Sequence, residues 1–142
     1  MTYKALLNIL VFLILLVLIC WKLFFYIDFK NHCYLKILPS FSGGNLTIKK
    51  AIGILKYASP NDYKNLCTYV RTIDPNYLGG GRYWTSLDPK TILVNPSWGP
   101  QLTAEIIVHE TCHSMQYFQK RPFSEDECYG EGDRLIKNIT VF

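Results

Sequence analysis

From Ala5 to Ile27 the chain is a run of apolar residues broken only by Asn8 and Lys22. As a helix this run is ~34 Å long, enough to cross the hydrocarbon core of a bilayer. Residues 1–27 are therefore expected as a membrane segment, and any folded domain must be built from residues 28–142. The leader Met1-Thr2-Tyr3-Lys4 has the basic character of an export signal, but no small-x-small cleavage site comes after the apolar core. Bulky Ile19 ahead of Cys20 also argues against a lipoprotein cysteine. The expectation is an uncleaved signal anchor with Trp21, Phe24, Phe25 and Tyr26 at the membrane interface.

Orientation receives two opposing signals. Lys22, Lys30 and Lys36 after the span outnumber Lys4 and the α-amino group before it, which favours a cytoplasmic C-terminal part. Cys33, Cys67, Cys112 and Cys128 form an even set in a small domain, which favours disulfides in an oxidising compartment. The cysteines carry more weight, and the C-terminal part is expected outside the cytoplasm. The net charge of +4 is spread along the chain without an arginine-rich run, so nucleic acid is not expected as a partner.

The remaining chain divides into a tether, residues 28–45, and a compact domain, residues 46–142. Ile48, Ala51, Ile52 and Leu55 share one face of a helix over 47–58, and a second helix is expected over 61–73. Asp74-Pro75-Asn76 and Gly79-Gly80-Gly81 then break the chain ahead of two strands, 82–87 and 91–95, joined as a hairpin. No Lys-Ser/Thr pair comes after the glycines, so they are read as a loop and not as a phosphate site. The fold class is α+β. Trp84 and Trp98 are expected mainly in the core.

The chemistry lies in His109-Glu110-Thr111-Cys112-His113, two of the chain's three histidines spaced four apart with a carboxylate after the first. Pro100 and Thr103 mark a helix start and Pro122 a stop, with Ile107, Thr111, Met115 and Phe118 set to pack inward. On that helix both imidazoles lie on one face and can grip one metal ion, with Glu110 beside it as a general base. A catalytic zinc needs a third protein ligand and one open position. The metzincin pattern would require Gly at 116 and His at 119, where the chain has Gln116 and Gln119. The acid must then come from a later helix, and the turn at Pro122 would bring Glu127 or Glu131 back toward His113. Glu127 also completes a capping box with Ser124, while Glu125 and Asp126 suit the positive end of a helix dipole. Cys112 adjoins His113 and Cys128 adjoins Glu127, so a shared metal would bring these sulfurs within bridging range; Cys33 and Cys67 are the remaining pair.

Over His109 to Asp133 the chain resembles the gluzincin, or thermolysin-like, metallopeptidases, in which HExxH is followed by a helix carrying the third ligand and a further acid four residues later. The resemblance implies a minimal gluzincin-like domain binding Zn²⁺ through His109, His113 and Glu127, with Glu131 bracing a histidine or serving as the alternative ligand. It implies a peptidase in which Glu110 moves the proton and a peptide lies along the strand before the helix. Tyr83, Tyr117 and Tyr129 are possible oxyanion donors, none favoured over the others. The rival expectation is a non-catalytic membrane-anchored zinc protein that binds or assembles others.

Overall fold

A computed structural model describes residues 3–40, 42–76 and 82–139, leaving aside the side chains of residues 82–84. The apolar run as far as Phe24 forms α1 (Tyr3–Phe24), 22 residues with a mean hydropathy of 2.7 over an 18-residue stretch and no buried side chain, long and apolar enough to cross a membrane. No linker separates it from the sheet. Phe25 opens β1 (Phe25–Asp28), which turns through Phe29–His32 into the antiparallel β2 (Cys33–Ile37). The Lys49 ammonium donates to the carbonyls of Lys22 and, at 2.8 Å, Phe25, so α1 is fastened to the domain where it ends.

The expected tether is thus corrected. In Cys33-Tyr34-Leu35-Lys36-Ile37 every second side chain is buried, and Cys33, Leu35 and Ile37 belong to the hydrophobic core. The chain continues through α2 (Gly44–Ala58) and α3 (Pro60–Tyr69) into β3 (Thr72–Pro75), β4 (Arg82–Trp84) and β5 (Thr91–Val94). A short 3₁₀ turn, Pro96–Trp98, leads to α4 (Pro100–Phe118), and α5 (Glu125–Ile139) closes the described chain. The five strands lie in the order β1-β2-β3-β5-β4, with the two outer pairs antiparallel and β2, β3 and β5 parallel. The architecture is α+β.

The expected second helix stops short of Ile73. Val70 turns extended and Arg71 hydrogen-bonds Lys90, which carries Thr72 and Ile73 into the sheet as β3. The expected hairpin is present as β4 and β5, shorter than expected at its first strand. Gly79-Gly80-Gly81 lie outside the described residues, as do the side chains of Tyr83 and Trp84. Trp98 is half exposed, contrary to a core position.

One side of the sheet carries the core. Ile48, Ala51, Ile52 and Leu55 of α2, at helical spacing, are fully buried with Leu35, Ile37, Ile73 and Ile92 of the sheet. Each of these isoleucine and leucine side chains contributes about 1.5–3 kcal/mol through burial. α4 is the central helix, and every residue from Thr103 to Ser114 is buried. The expected inward face holds at Ile107 and Thr111, whereas Phe118 at the helix end is partly exposed. α5 approaches α4 closely at Gly132, where a Cβ would come within 2.8 Å of the Glu105 carboxylate.

Two disulfides fasten this arrangement, as the even cysteine count suggests. Cys33–Cys67 joins β2 to α3, and Cys112–Cys128 joins α4 to α5. Closing chain separations of 34 and 16 residues stabilises the domain by ~4 and ~3 kcal/mol on the chain-entropy view.

Asp28 ties the β1–β2 hairpin to α2 and α3. Its carboxylate accepts from Lys56 at 2.8 Å, Asn31 at 2.7 Å and the Tyr63 hydroxyl at 2.7 Å. Lys56 first, then Asn31 and Tyr63, hold this carboxyl well below the ordinary range. A folded-state pKa below the unfolded one gives stability that is full above about pH 4 and is lost as pH falls toward the folded value. Asp28→Asn should therefore lower unfolding stability by about 2 kcal/mol at pH 7. Denaturant titrations in mild detergent should show the gap between wild type and variant closing below about pH 4; a gap independent of pH would refute this role.

Candidate metal centre

The helix expected around the HExxH motif is α4, and its 3.6-residue repeat puts His109 and His113 on the face that meets α5. Both rings are almost wholly buried, and their Nε2 atoms face each other at 3.2 Å. Glu125, the first residue of α5, brings Oε2 to 3.3 Å from each Nε2. Three donor atoms from three residues thus converge on one point.

Their spacing fits a small cation. Ligand bonds of 2.0–2.2 Å at tetrahedral angles place neighbouring donors about 3.3–3.5 Å apart, and the three separations here are 3.2, 3.3 and 3.3 Å. The donor set of two imidazole nitrogens and one carboxylate could hold a metal ion, which would use His109, His113 and Glu125.

The remaining nitrogen of His113 is also fixed. Gln116 is buried, and its amide nitrogen donates to the Ser124 carbonyl at 3.1 Å and to Glu127 at 3.0 Å. Its oxygen accepts from the Ser124 N–H and faces His113 Nδ1, both at 3.2 Å. The amide orientation set by these bonds places the His113 proton on Nδ1 and leaves the Nε2 lone pair for a metal. Phe123 stacks on the His113 ring at 4.3 Å, and Tyr129 lies against His109 at 4.5 Å between centroids. Cys128 Sγ sits 3.4 Å from His113 Nδ1, so the Cys112–Cys128 bridge lies beside the imidazoles.

The acids are distributed differently from the expectation. Glu127 does not reach the histidines: one oxygen takes Arg121 at 2.6 Å and the other Gln116. Arg121 and then Gln116 lower its pKa. The Ser124 hydroxyl caps the Glu127 N–H at 3.3 Å, so half of the capping box forms, while the Ser124 N–H goes to Gln116. Glu131 pairs with Arg134. Glu125, which by sequence only complements the helix dipole, occupies the position expected for Glu127, because α5 begins at Glu125 and its first turn is the part facing the imidazoles.

Glu110 is buried, with Oε1 4.0 Å from His109 Nε2. It therefore stands beside the donor cluster without belonging to it. Of the tyrosines considered as donors, Tyr129 adjoins the cluster, whereas Tyr117 stacks edge-on with Phe118 near the far end of α4. Gln116 and Glu125 are the site residues that spacing alone does not single out. For Gln116 a signal is present, since it lies three residues after His113, just under one helical turn. Comparison with protein-family models, curated proteins and solved structures finds no match to this chain.

Proposed function

We propose that this protein is a membrane-anchored zinc-dependent peptidase whose general base is Glu110. The observation that carries the reading is the set of three donors at 3.2–3.3 Å with a buried, non-ligating carboxylate beside them. A purely structural zinc has closed coordination and no use for such a carboxylate. The HExxH helix followed by an acidic helix is the arrangement implied by the gluzincin resemblance, with the acid two residues earlier than that pattern places it.

Zinc bound here would polarise the scissile carbonyl and acidify the attacking water. Glu110 then takes the proton from that water and returns it to the leaving amine. Gln116 holds the His113 ring in its donor tautomer, and Phe123 limits ring rotation by stacking. β5, the strand directly before α4, is paired on both sides, with β3 and β4, and so cannot take the peptide as the sequence leads one to expect; among the described strands β4 offers the edge on which an extended peptide can add as a further strand. Both disulfides suit an oxidising compartment, and the domain is assigned to the extracytoplasmic side.

The full chain in mild detergent, given a broad fluorogenic peptide library, should show hydrolysis that disappears with a zinc chelator and returns with added zinc. A protein that binds one zinc tightly yet cleaves nothing in the library would favour the non-catalytic binding or assembly role.

A further inference from the structure

The parallel strands β2, β3 and β5 run toward one end of the domain, and α1 joins the domain at that same end. Phe25, the first residue after α1, pairs with Lys36, one residue before β2 stops. The Asn45 amide donates to the Leu38 carbonyl at 3.0 Å, which puts the start of α2 beside the end of β2. The 3₁₀ turn after β5 packs against α2 and leads into α4. The first turns of α2 and α4 therefore lie at the end of the domain from which α1 extends.

That end is apolar. Residues 38–47 and 95–104 hold no charged side chain, and within them Leu46, Trp98 and Leu102 are exposed at 62, 50 and 45 %. Leu46 lies three residues before Lys49, whose ammonium reaches the carbonyls of Lys22 and Phe25, so Leu46 shares the face of α2 that meets the end of α1. The opposite end has the contrary character: Lys30, His32, Lys56 and Lys64 line a groove beside the β1–β2 turn.

We propose that the apolar end rests on the bilayer that α1 crosses, with Leu46, Trp98 and Leu102 in its interfacial layer. The inference rests on α1 spanning a membrane. Given that, Trp21 and Phe24 at the end of α1 lie at the lipid–water boundary, where indole rings are favoured, and Trp98 is held at the same end of the domain. The two uncharged segments can enter that layer without burying a charge. The half-exposure of Trp98 in so small a domain is thereby accounted for. Leu102 and His109, seven residues apart, share one face of α4, so the metal centre stands ~10 Å along that helix from the bilayer interface.

The full chain in phosphatidylcholine nanodiscs, with Trp98 as the probe, tests the assignment. In the Trp21→Phe/Trp84→Phe variant, Trp98 fluorescence should be quenched by phosphatidylcholine brominated near the glycerol end of its acyl chains and protected from aqueous acrylamide. Tyr57→Trp, at the far end of α2 and 84 % exposed, made with the three native tryptophans replaced by Phe, should show the reverse. Leu46→Glu with Leu102→Glu should lower the lipid quenching of Trp98 to the level of that control. Intact disulfides and an unchanged circular-dichroism spectrum establish that each variant is folded. Acrylamide quenching of Trp98 equal to the control, shielding without lipid quenching, as contact with a second copy would give, or lipid quenching unmoved by the two glutamates would each overturn the proposal. Trp21, read in the Trp84→Phe/Trp98→Phe variant, reports the anchor separately: lipid quenching there but not at Trp98 keeps the span and removes the docking, and quenching at neither removes both.

Discussion

Glu110→Gln is expected to retain the wild-type amount of bound metal and to lower kcat for peptide hydrolysis by about 10²- to 10⁴-fold. The amide matches the carboxylate in shape, so packing around this buried position is kept. It cannot accept the proton of the attacking water. Because Glu110 Oε1 lies 4.0 Å from His109 Nε2, outside the 3.2–3.3 Å donor cluster, its loss should not empty the site. Metal content and kcat should be measured on one preparation. Activity within twofold of wild type would assign the base elsewhere, and loss of metal together with activity would make Glu110 a ligand.

Glu125→Gln should reduce zinc affinity by more than the roughly 10- to 100-fold expected when an outer hydrogen-bond partner is lost. The reason is direct approach: Glu125 Oε2 is 3.3 Å from both imidazole nitrogens. Glu127→Gln should fall within that smaller range, since Glu127 acts at one remove by holding Gln116, which in turn faces His113. Glu131→Gln should leave affinity unchanged, its carboxylate being engaged with Arg134. Competition titrations against a chelating dye give all three values. A larger loss at Glu127 than at Glu125 would restore the assignment implied by the gluzincin spacing.

The parts of this protein that are readable from sequence are those with long or chemically restrictive patterns. The Ala5–Ile27 run as far as Phe24, the four-residue spacing of His109 and His113, and the apolar face Ile48, Ala51, Ile52 and Leu55 each point to a helix without reference to distant chain, whereas the last three residues of the run, Phe25, Tyr26 and Ile27, belong to β1. The Cys112–Cys128 bridge is expected once two helices are placed around one metal, and the structure contains it. β2 is hidden because five alternating residues acquire meaning only when β1 and β3 lie beside them, and the β2–β3 pairing joins segments 36 residues apart at Lys36 and Thr72. Read alone, the region has only the features of a tether.

The third donor is hidden for a different reason. Glu125, Glu127 and Glu131 all lie on α5, and which of them faces α4 depends on where that helix begins and how it is rotated. The Cys112–Cys128 bridge, the close approach of Gly132 to Glu105, and the Gln116 bonds to Ser124 set that rotation together. None of these contacts is encoded in spacing from Pro122. Trp98 illustrates the limit of composition: a large aromatic in a small domain favours burial, yet this one lies half exposed ahead of α4.

Elemental analysis of the full chain, purified in mild detergent, loaded with zinc and freed of excess metal, tests the centre most directly. The expected result is one zinc per chain in wild type and none in the His109→Ala/His113→Ala variant with both disulfides intact. A wild-type chain that retains no metal, or a double variant that retains as much as wild type, would contradict it.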